Sequence, residues 1–198
     1  MPSTVTLSSL VLLLAAGASS LALPSVGLER KNCAFPNNTG SALHMYSCSA
    51  SAGDSIQVKD VLITDLAGKP MYPINPRKPF ILVLKSFNGG VQINDNKVDV
   101  KIYELKTGWA DDSCKWDEMP TFGLLNGIDG CDFANNCPLT VGDLDLKIQL
   151  DLSAFAPIID LLSNNTPVEL HIKMHNANPG NHNEEIACVV AQLKIALS

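Results

Sequence analysis

The six cysteines constrain this 198-residue chain more than any other feature of its sequence. Five residues separate Cys131 from Cys137, and Pro138 follows directly, so this pair can close a small loop at a strand edge. Cys188 lies in the last apolar segment, where an early cysteine can tie the last strand to the first. Six cysteines fit three disulfides in an oxidising compartment. No C-x-x-C unit of the zinc-binding kind is present, so we expect neither a metal site nor a cofactor.

Residues 1–22 predict a signal peptide. The stretch Leu7–Leu23 is nearly all apolar, and small residues suited to cleavage after Ser20 or Ala22 stand near its end. It is short for a membrane span, so we favour secretion over a membrane anchor. The expected location is the extracellular space or the lysosomal lumen, and the sequence leaves both open.

Two glycosylation triplets and the overall charge fit the same route. The triplets begin at Asn37 and Asn164, which are therefore candidate N-glycosylation sites. The formal net charge of −6 argues against nucleic acid as a partner, because phosphates require a basic surface. The same charge disfavours strong electrostatic adhesion to anionic lipid.

The chain beyond the signal peptide predicts an all-β fold. In 144–152 and 168–175, aliphatic residues alternate with polar ones, as in half-buried strands. Residues 98–103 alternate in the same way, and 186–197 form an apolar terminal run. The segment 79–85 is apolar on both faces, which predicts a central strand. Several such strands joined by Gly, Pro and Asn turns favour a sandwich over a parallel α/β sheet.

The predicted organisation is simple. After the signal peptide we expect an irregular lead-in over 23–47 and a single sandwich domain over 48–198. Helix signals are scarce, and the best of them is 153–162, where Ser153 could cap one or two turns.

No catalytic constellation is evident, so we expect a protein without enzymatic activity. A Gly-x-Ser-x-Gly elbow is missing, and six paired cysteines would leave no free thiolate. His171 and His175 share one strand face beside Glu169, but that face is polar and typical of a solvated surface. The acidic residues of 111–118 indicate a loop rim and not a glycosidase carboxylate pair.

From Cys48 to its end the chain resembles the ML-type lipid-recognition domains. This family includes the Niemann–Pick type C sterol carrier, the ganglioside activator and phosphatidylglycerol/phosphatidylinositol transfer proteins. Four features carry the resemblance over about 150 residues: Cys48 before a first strand, the Cys131-x5-Cys137-Pro138 element before strand 144–152, a Val168–Met174 strand, and Cys188 at the start of an apolar terminal strand.

The resemblance implies an immunoglobulin-like β-sandwich of two antiparallel sheets with an apolar cavity between them. It implies non-enzymatic binding and transfer of a sterol, or of a phospholipid or glycolipid acyl chain, with passing contacts to a membrane or receptor. The implied disulfides are Cys48–Cys188 and Cys131–Cys137. Cys33 and Cys114 are then left to pair, which departs from the local bridge of the sterol carrier.

The resemblance and the strand alternation together suggest which residues would contact lipid. The register of strand 79–87 could be shifted by one residue, which would exchange its inward-facing and outward-facing side chains. The expected cavity walls are Leu82, Leu84, Val100, Ile102, Leu146, Ile148, Leu150, Leu170, Ile172, Met174 and Val190. The expected mouth near the disulfide loop comprises Phe122, Leu124, Phe133 and Pro138, with Phe155, Ile158 and Ile159 as an apolar lip.

Two other functions fit the same sequence. One is an adhesion or receptor-binding module whose core is filled, and the other is an immune accessory that senses lipid and presents it to a receptor. A filled core and a core held slightly open share the same apolar periodicity, so alternation alone does not separate them.

Overall fold

The computed structural model describes residues 33–48, 54–108 and 113–197. The predicted signal peptide and the first part of the predicted lead-in lie outside the described residues. So do the aspartates at 111 and 112.

The described residues form nine strands and little helix, which confirms the all-β prediction. Two short helices are present, α1 (Gly130–Ala134) and α2 (Ala156–Ile159), with 3-10 turns at Pro36–Asn38 and Ser153–Phe155. The strands are β1 (His44–Ser47), β2 (Ile56–Thr64), β3 (Phe80–Asn88), β4 (Asn96–Thr107), β5 (Cys114–Glu118), β6 (Ile128–Asp129), β7 (Gly142–Leu150), β8 (Pro167–Asn176) and β9 (Glu185–Lys194).

These strands form two antiparallel sheets. The larger sheet has the order β1-β9-β8-β4-β5, and β6 also pairs with β4. The smaller sheet has the order β2-β3-β7, so β3 is central, as its two apolar faces predicted. Residues of both sheets contribute to shared buried clusters, which makes the fold an all-β sandwich.

The strand register defines which side chains face the partner sheet. Leu82 of β3 lies opposite Ile148 of β7, so the two share the inner face of the small sheet. Ile172 of β8 lies opposite Val100 of β4 on one side and Val189 of β9 on the other. Directly opposed residues project to the same side of a sheet. The predicted face of 79–87 is therefore the inward one.

Several boundaries differ from the sequence-based predictions. The last four residues of the predicted lead-in form β1, so Cys48 follows the first strand and does not precede it. Part of the predicted acidic rim is β5, which pairs with β4 from Cys114 to Glu118. Ser153 is not a helix cap, because it is the first residue of the 3-10 turn and no side-chain cap is formed there.

Each end of the sandwich has its own buried cluster. The first end cluster includes Ile74, Ile102, Ile158, Leu162, Val168 and Leu193. The second end cluster includes Ile56, Ile93, Leu139, Leu144 and Ile186. Both clusters contain residues that are at most a few per cent exposed, such as Val168 at 0% and Leu139 at 1%. The two ends are therefore packed as firmly as an ordinary core.

Three disulfides join the elements: the two that the resemblance implied, and the pair of the two remaining cysteines. Cys48–Cys188 links the chain after β1 to β9, and Cys131–Cys137 closes the small loop around α1. Cys33–Cys114 ties the lead-in to β5. From there the lead-in crosses the outer face of the large sheet, where Phe35 lies under Lys194 Nζ and Asn37 donates to Gln192.

Candidate lipid site between the sheets

The predicted wall residues do lie together on the two inner faces, with one exception. Leu82, Leu84 and their β7 partners face inward from the small sheet, and Val100, Ile102 and the even-numbered residues of β8 face inward from the large one. Val190 is the exception, because it lies opposite His171 on the outer face. Side chains alternate along β9, so Val189 and Ala191 take the inward positions instead.

Many inward-facing residues in the middle of the sandwich are less completely buried than those at its ends. Between the two end clusters lies a set of inward-facing apolar residues that are only half-buried, which we call the central band. From the small sheet the central band takes Val58, Val61, Ile63, Leu82, Leu84, Leu146 and Leu150, and from the large sheet Met45, Val98, Val100, Leu170, Ile172, Met174 and Val189.

These residues keep exposed surface although they lie on inner strands of their sheets. Leu82 and Leu84 lie on β3, which has a hydrogen-bonded strand on both sides. Leu170 and Ile172 lie on β8, which is likewise flanked by β4 and β9. All four are only half-buried. Burial is therefore less complete in the middle of the sandwich than at its ends.

One end of the central band is closed by a buried carboxylate. Glu104 faces inward at the end of β4 and is 0% exposed. Its oxygens accept from the backbone N–H and hydroxyl of Ser163, at 2.5 and 3.3 Å, and Lys106 Nζ lies 2.6 Å away. A buried charge is tolerated when it is paired and hydrogen-bonded in this way. The turn after α2 is therefore fixed against β4.

Buried amides close the other end. Asn88 is 0% exposed, and its Nδ2 donates to the carbonyls of Val91 and Leu139 while its Oδ1 accepts from Gly90 N–H. Asn96, also 0% exposed, directs its Nδ2 to both sulfurs of the Cys131–Cys137 disulfide, each at 3.2 Å. These bonds fix the loops beside the second end cluster.

The predicted mouth is brought together only in part. Phe133 of α1 meets Phe155 with ring centroids 5.6 Å apart, edge to face. Phe122 and Leu124 are 80% and 53% exposed on the turn between β5 and β6. Pro138 is exposed as well.

Two of the three residues that were predicted to form the apolar lip lie in the core. Ile158 and Ile159 are 2% and 5% exposed, so they are core residues and not an exposed apolar lip. The sequence run Pro157–Leu162 is short and apolar, and such a run has the same composition whether it covers the core or borders an opening.

Residues that sequence reasoning missed belong to β1, β2, β4 and β9, and Val98 is the one from β4. Met45, Val58, Val61 and Val189 face inward in the central band. Their inward direction depends on register: β2 has an irregularity between Val58 and Asp60, which breaks the alternation that would have marked this face. In the sequence, the spacing of three residues between Val58 and Val61 is the one sign of such a bulge.

The polar face of β8 also differs from the prediction of a solvated surface. Glu169 is 7% exposed there, and its two oxygens lie 2.6 Å from His171 Nε2 and 2.6 Å from Gln192 Nε2. Gln192 in turn accepts from Asn37 Nδ2 of the lead-in at 2.6 Å. The lead-in therefore covers this part of the face, which a strand pattern does not reveal. His175, farther along, lies 3.2 Å from Asp99.

Acidic groups near α1 are engaged internally. Asp95, Asp129 and Cys131 lie close enough together to suggest a metal site. Cys131, however, is in a disulfide, and Asp129 lies 2.5 Å from Lys97 Nζ. The hydrogen bond from Lys97 holds the pKa of Asp129 below its ordinary value, and the same bond raises the pKa of Lys97. This group is therefore an ion pair that also caps α1.

The asparagines of both glycosylation triplets lie at the surface, whereas Thr39 of the first triplet is 0% exposed. Asn37 and Asn164 are exposed. Asn164 Oδ1 accepts from Leu197 N–H at 3.0 Å, and the Asn37 side chain bonds Gln192 as described. Within the described ranges no helix is long and apolar enough to cross a membrane.

Comparison with known proteins gives no family for this chain. No protein-family model and no curated protein matches it. Among solved structures it is similar to the C-terminal domain of wzt, with a TM-score of 0.38 and 11% identity over 86% of this chain and 89% of that one. Likeness at this level carries no argument about function.

Proposed function

We propose that this protein is a secreted, non-enzymatic lipid-binding and transfer protein that holds an apolar chain between its two sheets. The observation that carries the proposal is the half-burial of Leu82, Leu84, Leu170 and Ile172 on strands that have neighbours on both sides. An ordinary sandwich core would bury these side chains completely. A lipid tail would complete their burial.

The central band has the composition that such a ligand requires. It is lined by Leu, Ile, Val and Met, whose unbranched or γ-branched members adapt to ligands of different shape. Each methylene moved from water into this band gains about 0.8 kcal/mol, so eight buried methylenes contribute about 6 kcal/mol. Most of the affinity therefore comes from the tail, and a sterol or an acyl chain of a phospholipid or glycolipid satisfies this chemistry.

The ends and the disulfides support the same function. A transfer protein must keep its sheets apart without unfolding, and here the two end clusters join the sheets on either side of the central band. The Cys48–Cys188 bridge fastens the end of β1 to β9 within the large sheet. Three disulfides fit an oxidising compartment, which agrees with the proposed secretion. The Phe133–Phe155 pair is our candidate entrance, where the protein would also touch a donor membrane or receptor.

Native mass spectrometry of the protein secreted from a eukaryotic host tests the proposal. We expect co-purified lipid, released by organic extraction and identified as a sterol or acyl-chain lipid. Leu84→Trp should fill the central band and exclude lipid. Leu62→Trp is the matched control, because Leu62 is 46% exposed on the outer face of β2 and should leave lipid binding unchanged.

The alternative functions give different results in the same experiment. A ligand-free protein whose Leu84→Trp variant is strongly destabilised would indicate a filled core and favour an adhesion module. Lipid capture followed by lipid-dependent binding to a receptor would favour an immune accessory.

A further inference from the structure

An open trough lies on the opposite side of the large sheet from the central band. It has a volume of about 430 Å³ and lies on the outer face of β1, β9 and β8. This volume lies in the range of small-molecule sites. Its lining residues are Tyr46, Cys48, His171, Lys173, Glu185, Cys188 and Val190.

The trough results from side-chain length along three adjacent strands. Val190 and Cys188 on β9 are short and buried, and they form the floor. Val190 has Tyr46 of β1 on one side and His171 of β8 on the other, and Lys173 stands beside Cys188. Long side chains on the two flanking strands therefore rise above a short-chained central strand.

The aromatic wall of the trough is held in place. Tyr46 is 41% exposed, so its ring is available to a ligand, and its hydroxyl lies 3.4 Å from Glu169. Burial, and then the Glu169 carboxylate, raise the pKa of Tyr46, so the phenol is neutral at physiological pH. Opposite it, His171 is held by Glu169 at 2.6 Å and by the Tyr103 ring at a centroid distance of 4.8 Å.

The polar groups of the trough are balanced in charge. Lys173 Nζ lies 2.7 Å from Glu185, which neutralises both and leaves further ammonium hydrogens and a carboxylate oxygen for a ligand. The second carboxylate, Glu169, is directed at His171 and Gln192 and not into solvent. An ionic ligand would face an opposite charge that is already paired, whereas hydroxyl groups can donate to and accept from these residues at once.

We propose that this trough binds a neutral saccharide. The Tyr46 ring would pack against the C–H face of a sugar, while Lys173, Glu185 and the free Nδ1 side of His171 would bond its hydroxyls. This inference does not rest on lipid binding, because the trough and the central band lie on opposite faces of the large sheet.

Saturation-transfer NMR on the secreted protein tests the inference. The probes are lactose, cellobiose, maltose and N,N′-diacetylchitobiose at millimolar concentration, with a sulfated disaccharide as the charged comparison. We expect at least one neutral disaccharide to bind saturably. Tyr46→Ala should weaken that binding about tenfold or more, whereas Tyr46→Phe, which keeps the ring, should stay within about threefold.

Two further variants serve as a control and as a second probe of the trough. Phe87→Ala removes an aromatic ring that is 37% exposed on the small sheet, so it should leave saccharide binding unchanged. Lys173→Ala probes the trough if Tyr46→Ala fails to fold, and it should weaken binding several-fold. Failure of every neutral disaccharide to bind, preference for the sulfated one, or unchanged binding in a folded Tyr46→Ala or Lys173→Ala variant would overturn the inference.

Two further measurements show whether the trough takes a free glycan or the headgroup of a glycolipid. The Leu84→Trp variant, whose central band is filled, should still bind a free disaccharide. A lactose-headed lipid in detergent micelles should compete with lactose for the trough if a glycolipid headgroup is also bound. Binding of either ligand supports the saccharide site. Neither result depends on whether lipid binds between the sheets.

Discussion

The ends and the middle of this sandwich use the same residue types and reach different packing. Leu139 in the second end cluster is 1% exposed, while Leu84 on the central strand of the small sheet is only half-buried. The ends contain loops and helices that fill the space between the sheets, such as α2 at the first end. The middle has only the two sheets themselves. In this protein the burial of an apolar side chain therefore depends more on what fills the space between the sheets than on the type of the side chain.

The largest expected effect comes from placing a charge on the inner face. Ile148→Asp should cost on the order of 2–7 kcal/mol, because Ile148 is 5% exposed and its replacement would be an unpaired carboxylate. Loss of folding or of fluorescent-lipid uptake is the expected result. Gln149→Asp on the outer face is the control and should behave like the wild type. Normal lipid uptake by Ile148→Asp would show that this face does not line the site.

A pair of leucines compares the ends with the middle directly. Leu139→Ala should lower the free energy of unfolding by about 2–5 kcal/mol, since it leaves a cavity in a filled cluster. Leu84→Ala should cost less than about 2 kcal/mol in the lipid-free protein, because its side chain is already partly exposed. Urea unfolding of both delipidated variants measures the difference. Equal costs would mean that the middle is packed like the ends.

The candidate entrance should affect rate more than stability. Phe133→Ala removes the edge-to-face contact with Phe155, which is worth about 0.5–1.5 kcal/mol. If this pair closes the way to the central band, lipid exchange between vesicles should become about twofold to tenfold faster. Stopped-flow transfer of a fluorescent lipid reports the rate. Phe122→Ala, at an exposed turn, provides a comparison, and an unchanged rate for Phe133→Ala would remove the pair from the proposed path.

The smallest expected effect concerns acid stability at α1. The pKa of Asp129 is lowered in the folded protein, so its contribution to stability is present above the ordinary value near 3.8 and is lost as the pH falls below it. Asp129→Asn keeps a side-chain cap for α1 but removes the charge. Urea unfolding should show a small loss at pH 7 that shrinks steadily as the pH falls below about 3.8 and through the lowered folded pKa of Asp129. A loss that stays the same at every pH would trace to the cap and not to the ion pair with Lys97.

Strand positions and the number of disulfides were accessible from the sequence, and the resemblance supplied the pairing of the cysteines. The incomplete burial in the middle of the sandwich was not accessible. Alternation in 144–152 and 168–175 identified β7 and β8, because a half-buried strand repeats every two residues. Val190 was assigned to the wrong face because β9 is apolar on both sides. Glu169 was expected in solvent, because no strand pattern shows that the lead-in crosses above it.

By itself the sequence determined an all-β chain, a three-disulfide framework and two apolar strand faces, since these follow from local periodicity and cysteine spacing. Tertiary structure alone decided that residues at the ends are fully buried while many inward-facing residues of the middle are only half-buried, and that Tyr46, His171 and Lys173 surround a trough. Both outcomes depend on the register between distant strands and on loops packed across them, which no local pattern encodes.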